Sequence, residues 1–284
     1  METNAEEGET RDPFYIIFTD LDATLLDHDT YKWKEAVPAL RLCKSLNVPV
    51  VPVSSKTRAE MEVLRRSLSL STPFISENGG GIFCPVGIFE QAPQGSFVDN
   101  GLWKCSFGLP YGVLVKALQE IRVELGWDIR GFSDMDIDEI SHFTGLGREA
   151  SRLAADREFD EPFVIMKPSS PDMDLLSASA AKKGLKVTQG GRFHHLHGNN
   201  HKGKATQVVL SWYEKIHSPT VSIALGDSPN DFDMLELADH PVLVRSDQDY
   251  KSITHHIPRL VVTEKKGPAG WNSAVLDILS HKED

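Results

Sequence analysis

Two aspartates separated by one residue follow the first apolar run of the chain. Asp20 and Asp22 follow Thr19 at the end of residues 14–18, which are apolar or aromatic. Two carboxylates this close repel unless a cation or a shared proton relieves them, which indicates a hard metal ion such as Mg²⁺ or a raised pKa. Both suit phosphoryl chemistry, because one carboxylate attacks phosphorus while the other protonates the leaving oxygen and later activates water. Taken alone, the segment fits an ordinary turn or helix cap equally well.

A second acidic motif follows a later apolar run. The segment 226–231 reads Gly-Asp-Ser-Pro-Asn-Asp and comes directly after residues 221–225. If both apolar runs are parallel strands of one sheet, Asp227 reaches the same edge as Asp20 and Asp22, where oxygen ligands and water complete the octahedron that Mg²⁺ requires. The alternative is a simple turn, since these residue types all form turns.

Two further segments carry groups that suit a phosphate. Ser54 follows the apolar run 48–53 and precedes a predicted helix, whose N-terminal N–H groups favour an anion; Ser55 and Lys56 are additional candidate substrate ligands. Lys202, beside a glycine, begins a later helix, where its cation would neutralise charge on the phosphoryl group. A solvated surface lysine is the alternative interpretation of Lys202.

The segment 76–81, Ser-Glu-Asn-Gly-Gly-Gly, follows a third predicted strand. Its glycines favour a hinge, while Glu77 and Asn78 are candidates to hold sugar hydroxyls.

A histidine-rich segment, 194–201, could suggest a zinc site. No cysteine or carboxylate completes a zinc site with recognised spacing, so we expect these histidines to pack near the crossing between two domains.

The spacing of apolar residues predicts the elements that position these groups. We expect strands over 14–18, 48–53, 74–76, 221–225, 242–244 and 260–262, and helices over 33–46, 57–68, 203–215 and 232–237. This alternation is typical of βαβ units and a parallel sheet. Residues 84–197 change character, with glycine and proline breaks, a helix carrying Leu114 to Leu125 and a strand over 163–166. We therefore predict a disordered tail (1–12), a core (13–83 and 198–284) and an inserted domain (84–197).

Composition excludes several functional classes. The chain has 284 residues and a formal net charge of −11, which argues against nucleic acid or an anionic membrane as the main partner. No apolar run approaches the ~20 residues needed to span a bilayer, and the acidic start carries no hydrophobic signal region. Cys43, Cys84 and Cys105 are scattered, as in a reducing compartment. We expect a cytoplasmic protein, monomeric or homodimeric.

The four motifs, in chain order, resemble those of the haloacid dehalogenase superfamily of phosphotransferases. The inserted domain falls where one branch of that superfamily has a large α/β cap. The resemblance implies an α/β fold: a Rossmann-like core with a parallel sheet and helices on both faces, plus a C2-type α/β cap. Within that branch, the chain resembles the mannosyl-3-phosphoglycerate phosphatase family through segments 19–26, 52–57, 75–80, 157–163, 189–193 and 267–272.

This resemblance implies a role for each motif residue. Asp20 would be the nucleophile and an Mg²⁺ ligand, and Asp22 the general acid and base and a ligand through its backbone carbonyl. The other implied roles are phosphoryl binding by Ser54 and Lys202, metal binding by Asp227, and positioning of Lys202 and water by Asn230 and Asp231. Ala23 departs from the superfamily, which usually has glycine there.

The implied reaction is the Mg²⁺-dependent hydrolysis of 2-O-(α-mannosyl)-3-phosphoglycerate to phosphate and mannosylglycerate, a compatible solute. Arg157, Gln189 and Arg192 in the cap are candidates for the glycerate carboxylate and the sugar, since a guanidinium fork suits a carboxylate. The glucosyl compound or another sugar phosphate, a phosphomutase reaction and a non-catalytic phosphate-binding role are the alternatives.

Overall fold

The protein is described from a computed structural model that covers residues 12–190, 193–246 and 256–280. The predicted N-terminal tail therefore lies outside the described residues, apart from Asp12. The strands, numbered in chain order, are β1 (Phe14–Thr19), β2 (Val50–Pro52), β3 (Phe74–Ser76), β4 (Gly81–Pro85), β5 (Phe97–Asp99), β6 (Leu102–Ser106), β7 (Asp128–Gly131), β8 (Asp160–Lys167), β9 (Lys186–Gly190), β10 (Phe193–His197), β11 (Thr220–Gly226), β12 (His240–Arg245) and β13 (Val261–Lys266).

The α-helices are α1 (Val37–Ser45), α2 (Arg58–Leu68), α3 (Tyr111–Leu125), α4 (Ile137–Thr144), α5 (Arg148–Ala155), α6 (Met173–Ala181), α7 (Lys202–Glu214), α8 (Phe232–Leu235) and α9 (Gly267–Ser280). Single 3₁₀ turns cover Lys34–Ala36, Glu77–Gly79, Phe132–Asp134 and Pro229–Asp231. Across the described ranges, no helix combines the length and the apolar character needed to cross a bilayer.

The core is a parallel sheet with the strand order β13-β12-β11-β1-β2. Because side chains alternate along a strand, β1 faces two hydrophobic layers. Ile17 packs in the layer that contains residues of α1, α2 and α9, whereas Ile16 and Phe18 pack in the layer that contains residues of α7 and α8. Helices on both faces of a parallel sheet confirm the predicted fold class.

The predicted elements of the core are confirmed, with small shifts at their ends. The strand predicted over 48–53 is limited to β2, because the Val48 N–H donates to the Cys43 carbonyl (2.8 Å) at the end of α1. The helix predicted over 33–46 begins as a 3₁₀ turn and becomes α-helical at Val37. Thr57 caps α2 as the capping-box spacing predicts, and its hydroxyl oxygen accepts from the Glu60 N–H.

Two antiparallel sheets add to this core. The first, β3-β4-β6-β5, continues from the core through a parallel bridge between Val53 and Ile75, and it packs against α7. The second, β7-β8-β10-β9, lies within the predicted cap, with α3 and α6 on one face and α4 and α5 on the other. The boundary drawn at residue 84 stays a prediction, although β4 and β6 share their hydrophobic layer with the core.

A buried tryptophan supports the end of β1. The Trp271 side chain on α9 is fully buried, and its indole N–H donates to the Thr19 hydroxyl oxygen (2.9 Å). The Thr19 hydroxyl in turn donates to the backbone carbonyl of Asp20 (2.7 Å). The last described helix is thereby bonded to the residue at which the first acidic motif begins.

We expect Trp271→Phe to lower the free energy of unfolding by about 2 kcal/mol, because it removes a buried hydrogen bond and leaves a small cavity. Urea unfolding followed by circular dichroism measures this loss. Trp127→Phe is the matched control, since Trp127 is only half-buried in the cap, and we expect a loss below about 1 kcal/mol. Equal losses in the two variants would contradict a special role for Trp271.

Candidate active site

Three strand ends of the parallel sheet meet at the site. Asp20 follows β1, Ser54 comes two residues after β2, and Asp227 follows β11. Because β1 lies between β2 and β11, their carboxyl ends share one edge of the sheet. The Asp20 N–H donates to the Leu225 carbonyl (2.8 Å), which fixes the nucleophile candidate against the end of β11. The structure thus brings these three predicted residues together.

Lys202 is the cation at the centre of this edge. It is the first residue of α7 and only 1% exposed, which excludes the alternative of a solvated surface lysine. Its Nζ atom lies 2.6 Å from Asp20 Oδ1 and 2.6 Å from Asp231 Oδ1. Burial disfavours the charged amine, but the two carboxylates outweigh burial and raise the pKa of Lys202. Lys202 is therefore charged.

The loop after β11 is organised by Asp231. One of its carboxylate oxygens contacts Lys202, and the other accepts from the N–H groups of Asp227 and Ser228, both at 3.0 Å. Gly226 allows this close approach, since a Cβ there would lie 2.4 Å from the Asp231 Cβ. Asp231, assigned by the resemblance to positioning, thus contacts both Lys202 and the metal-binding candidate Asp227.

Negative charge is concentrated at the site. Burial raises the pKa of Asp20 well above its usual value, and the attraction of Lys202 only partly offsets this; Asp231, Asp227 and Asp22 raise it further. Burial, followed by the charge of Asp231, raises the pKa of Asp227 to about 7, while Lys202 and a hydrogen bond from Thr24 oppose the shift. A single ammonium does not balance this set of carboxylates.

The donor set suits a hard divalent cation. Asp20, Asp227 and Asp231 each offer a carboxylate oxygen, and these three oxygens all lie within 4.8 Å of one another. Carboxylate oxygens are the ligands that Mg²⁺ prefers, and a cation here would relieve the repulsion that raises the pKa values of Asp20 and Asp227. The residues at this edge therefore fit the implied metal.

Asp22 lies beside the cluster and pairs with Lys56. Lys56 Nζ is 3.0 Å from Asp22 Oδ2 and 5.1 Å from the centre of the Tyr31 ring. The other carboxylate oxygen, Asp22 Oδ1, is buried without a hydrogen-bond partner. Directly after Asp22, Ala23 adopts a φ of 57°, a left-handed conformation that glycine adopts at lower cost. This backbone geometry accounts for the glycine usual in the superfamily.

Three other candidate substrate ligands, Glu77, Asn78 and Ser55, bond to groups of the protein. Glu77 and Asn78 lie at the site but bond to protein: Glu77 accepts from the Phe159 N–H (2.7 Å), and Asn78 Oδ1 accepts from Asn230 Nδ2 (3.1 Å). Burial raises the pKa of Glu77 to about 8. Ser55 presents its carbonyl oxygen to Arg157 Nη1 (2.9 Å). The sequence alone does not predict these bonding partners.

Two of the three candidates from the cap lie within the described residues, and they differ in accessibility. The Arg157 side chain is 7% exposed and bonds to protein: it donates to the Ala154 and Ser55 carbonyls and lies 3.6 Å from Asp160 Oδ2. Gln189 is exposed on β9. Arg192 lies outside the described residues. Of the two candidates that the structure describes, Arg157 is the one bonded across the junction between cap and core.

The histidines of segment 194–201 contact groups of the protein. His195 Nδ1 lies 2.7 Å from Asp160 Oδ2, and His197 contacts Thr188 and the Gly198 carbonyl. Burial by itself would raise the pKa of Asp160, but His195 and Arg157 hold it below its usual range. Of the side chains that the structure describes, the group able to hold a metal is the aspartate cluster and contains no histidine.

Two contacts at the site were missed by the sequence analysis. Thr24 donates to Asp227 Oδ1 (3.2 Å), and its fixed position two residues after Asp22 was the available signal. The Asp22–Lys56 pair had no such signal, since each residue was assigned separately.

Comparisons with known proteins agree with this geometry. Residues 17–87 match the haloacid dehalogenase-like hydrolases. The glucosyl-3-phosphoglycerate/mannosyl-3-phosphoglycerate phosphatase of Methanococcoides burtonii is 40% identical over 270 residues, which cover 93% of this chain and 97% of that protein. The mannosyl-3-phosphoglycerate phosphatase of Pyrococcus furiosus is 36% identical over 230 residues, covering 81% of this chain and 90% of that protein.

A solved structure extends the agreement in fold. A protein of Thermoplasma acidophilum superposes with a TM-score of 0.66 at 20% identity, covering 95% of this chain and 99% of that one. Identity over nearly the whole length of the Methanococcoides relative, together with the motifs at the sheet edge, decides the assignment. The chain belongs to the haloacid dehalogenase-like hydrolases and, within them, to the family of phosphatases represented by these two relatives.

Proposed function

We propose that this phosphatase hydrolyses 2-O-(α-mannosyl)-3-phosphoglycerate to mannosylglycerate and phosphate, with Mg²⁺ and through an aspartyl-phosphate intermediate. The observation that carries the proposal is the buried ammonium of Lys202, 2.6 Å from both Asp20 and Asp231 at the sheet edge. The names of the two relatives support the substrate. Because the Methanococcoides relative is named for both sugars, the glucosyl compound is the second candidate.

The chemistry proceeds in two halves. In the first, an Asp20 carboxylate oxygen forms a bond to phosphorus, the bond from phosphorus to the glycerate oxygen breaks, and Asp22 gives that oxygen its proton. In the second, Asp22 takes a proton from water, the water oxygen bonds to phosphorus, and the bond to Asp20 breaks, releasing phosphate. Lys202 and Ser54 offset the charge on the phosphoryl oxygens in both halves.

The metal would be held by Asp20 and Asp227, with Asp231 or the Asp22 backbone carbonyl completing the protein ligands. When bound, Mg²⁺ supplies positive charge against the phosphoryl oxygens, as metal ions do in other phosphoryl transfers. Lys202 then keeps Asp20 oriented, because it fixes one carboxylate oxygen and leaves the other available.

A phosphomutase shares the first half of this chemistry, and one observation favours hydrolysis over it. The Oδ1 atom of Asp22 is buried with no hydrogen-bond partner, so the carboxylate retains an acceptor for the proton of an attacking water. A ready base for water favours breakdown of the aspartyl-phosphate over its persistence.

The function is tested by supplying purified enzyme with mannosyl- and glucosyl-3-phosphoglycerate and following inorganic phosphate and the organic product. We expect stoichiometric phosphate and the free glycosylglycerate from the mannosyl compound. The ratio of kcat/KM for the two compounds decides the sugar. An isomerised sugar phosphate without free phosphate would establish the mutase instead, and turnover of neither compound would refute the substrate.

We expect Asp20→Asn to lose detectable turnover, since the amide cannot act as the nucleophile. Asp22→Asn should lower kcat by about 10²–10⁴-fold, because it removes proton transfer from both halves of the reaction. Steady-state phosphate release measures both effects. Asp29→Asn, an exposed acid in the adjacent loop, is the matched control and should retain full activity. Appreciable turnover by Asp20→Asn would overturn the assignment of the nucleophile.

We expect EDTA to abolish activity and Mg²⁺ to restore it. Addition of Mg²⁺ to metal-free protein should raise the melting temperature, because the ion binds only the folded arrangement of carboxylates. Asp227→Asn should weaken this stabilisation by requiring more Mg²⁺ for the same shift. Full activity in EDTA, or an Mg²⁺ titration that Asp227→Asn leaves unchanged, would contradict a metal site at this cluster.

A further inference from the structure

The turn that follows β3 has an unusual backbone. Three successive residues have positive φ angles: 46° at Glu77, 54° at Asn78 and 90° at Gly79. Glycine adopts such angles readily and asparagine tolerates them, but the longer side chain of Glu77 makes them unfavourable, so Glu77 is strained. Strained residues persist only where surrounding contacts fix them, and they cluster at functional sites. The contacts of this turn therefore indicate what the strain serves.

The turn is bonded to both loops that hold the reacting groups. The Asn78 N–H donates to the Ser54 carbonyl and the Glu77 N–H to the Lys56 carbonyl, both at 3.0 Å. On the opposite side, Asn78 accepts from the side chain of Asn230 in the loop after β11. One turn thus fixes the phosphate-binding candidate Ser54 relative to the loop that carries the acidic cluster.

The same turn is bonded to segment 198–201, through which the chain returns from the predicted cap to the core. Asn200 Nδ2, just before α7, donates to the Glu77 carbonyl (3.3 Å). Gly79 packs against the start of α7, since a Cβ at Gly79 would lie 2.4 Å from the His201 carbonyl oxygen. This contact lies one residue before Lys202. The turn therefore also fixes the start of the helix that carries Lys202.

The Glu77 carboxylate holds a segment within the predicted cap, which joins α5 to β8. It accepts from the Glu158 N–H (3.1 Å) and the Phe159 N–H (2.7 Å), and the residue is fully buried. Two further bonds lie beside it: the Thr57 hydroxyl donates to the carbonyl of Leu153 in α5 (2.7 Å), and Arg157 donates to the Ser55 carbonyl. These bonds hold the cap against the loop after β2, which carries Ser54.

We propose that Glu77 is a positioning residue and not a ligand of the sugar. Its carboxylate fixes the 157–159 segment on the core and so sets the position of the cap over Asp20. Its oxygens are engaged with backbone N–H groups, which leaves it no exposed group for a substrate. Binding of a substrate that fills the space between cap and core depends on this position of the cap. Binding of a small phosphate ester that contacts only the core does not.

The proposal rests on the proposed function for its large substrate, and it is tested with two variants. Glu77→Gln keeps the size of the side chain but replaces one acceptor oxygen with an amide donor that faces the N–H groups. Glu77→Gly removes the carboxylate and relieves the strained φ, so the variant folds without the backbone conflict that alanine would retain. Glu149→Gln is the matched control, because the Glu149 side chain is exposed, pairs with Arg152 within α5 and makes no contact with the turn.

Hydrogen exchange measured by mass spectrometry reports directly how firmly the 157–159 segment is held on the core. In both Glu77 variants we expect the amides of peptide 157–163 to exchange at least about tenfold faster, because their local opening becomes easier, while peptides of β1 and β11 stay protected. Glu149→Gln should exchange like the unaltered protein. This measurement uses no substrate, so its outcome is independent of whether the proposed sugar is correct.

Kinetics separate positioning from a merely structural role. For mannosyl-3-phosphoglycerate we expect KM to rise about tenfold or more in the Glu77 variants, while kcat/KM for p-nitrophenyl phosphate changes less than about threefold. Unchanged exchange at 157–163, or equal losses for both substrates, would overturn the proposal. If exchange rises as expected but neither enzyme uses the mannosyl compound, the substrate assignment fails and the positioning role of Glu77 stands.

Discussion

The arrangement of the active site depends on one buried ammonium between two buried carboxylates. Removing three such charges from water is costly, and it is tolerated only where the geometry pairs them closely. Lys202 meets this condition through two contacts of 2.6 Å, to Asp20 and Asp231. The loop after β11, the start of α7 and the end of β1 are thereby held to a common point. The remaining excess of negative charge makes the same point attractive to a divalent cation.

This constraint explains which parts of the site were predictable from the sequence. Asp20, Ser54 and Asp227 each follow a strand, so local patterning and the rule for parallel sheets place them at one edge. Their confirmed proximity required no knowledge of side-chain packing. Lys202 was ambiguous, because a lysine at a helix start in an acidic chain is usually solvated, and only its burial distinguishes the two interpretations.

Contacts made across long sequence separations were not predictable. Arg157 suits a carboxylate by its chemistry, yet in the folded chain it donates to the carbonyl of Ser55, 102 residues away. The pairing of Asp22 with Lys56 likewise arises because the loop after β1 lies against the loop between β2 and α2. Charge type limits what a side chain can bind, but the partner is decided by packing between elements. The roles of Gln189 and Arg192 stay predictions for the same reason.

The indole of Trp271, bonded to the threonine that precedes Asp20, has a consequence for synthesis of the chain. Domains form in order as the chain leaves the ribosome. The strand with the nucleophile emerges first, but β11, Lys202 and the supporting α9 emerge late. The active site therefore cannot assemble until α9 has been made, whereas the antiparallel sheet of the cap is complete well before then. A nascent chain that stops short of residue 271 would carry its reactive aspartate without the groups that organise it.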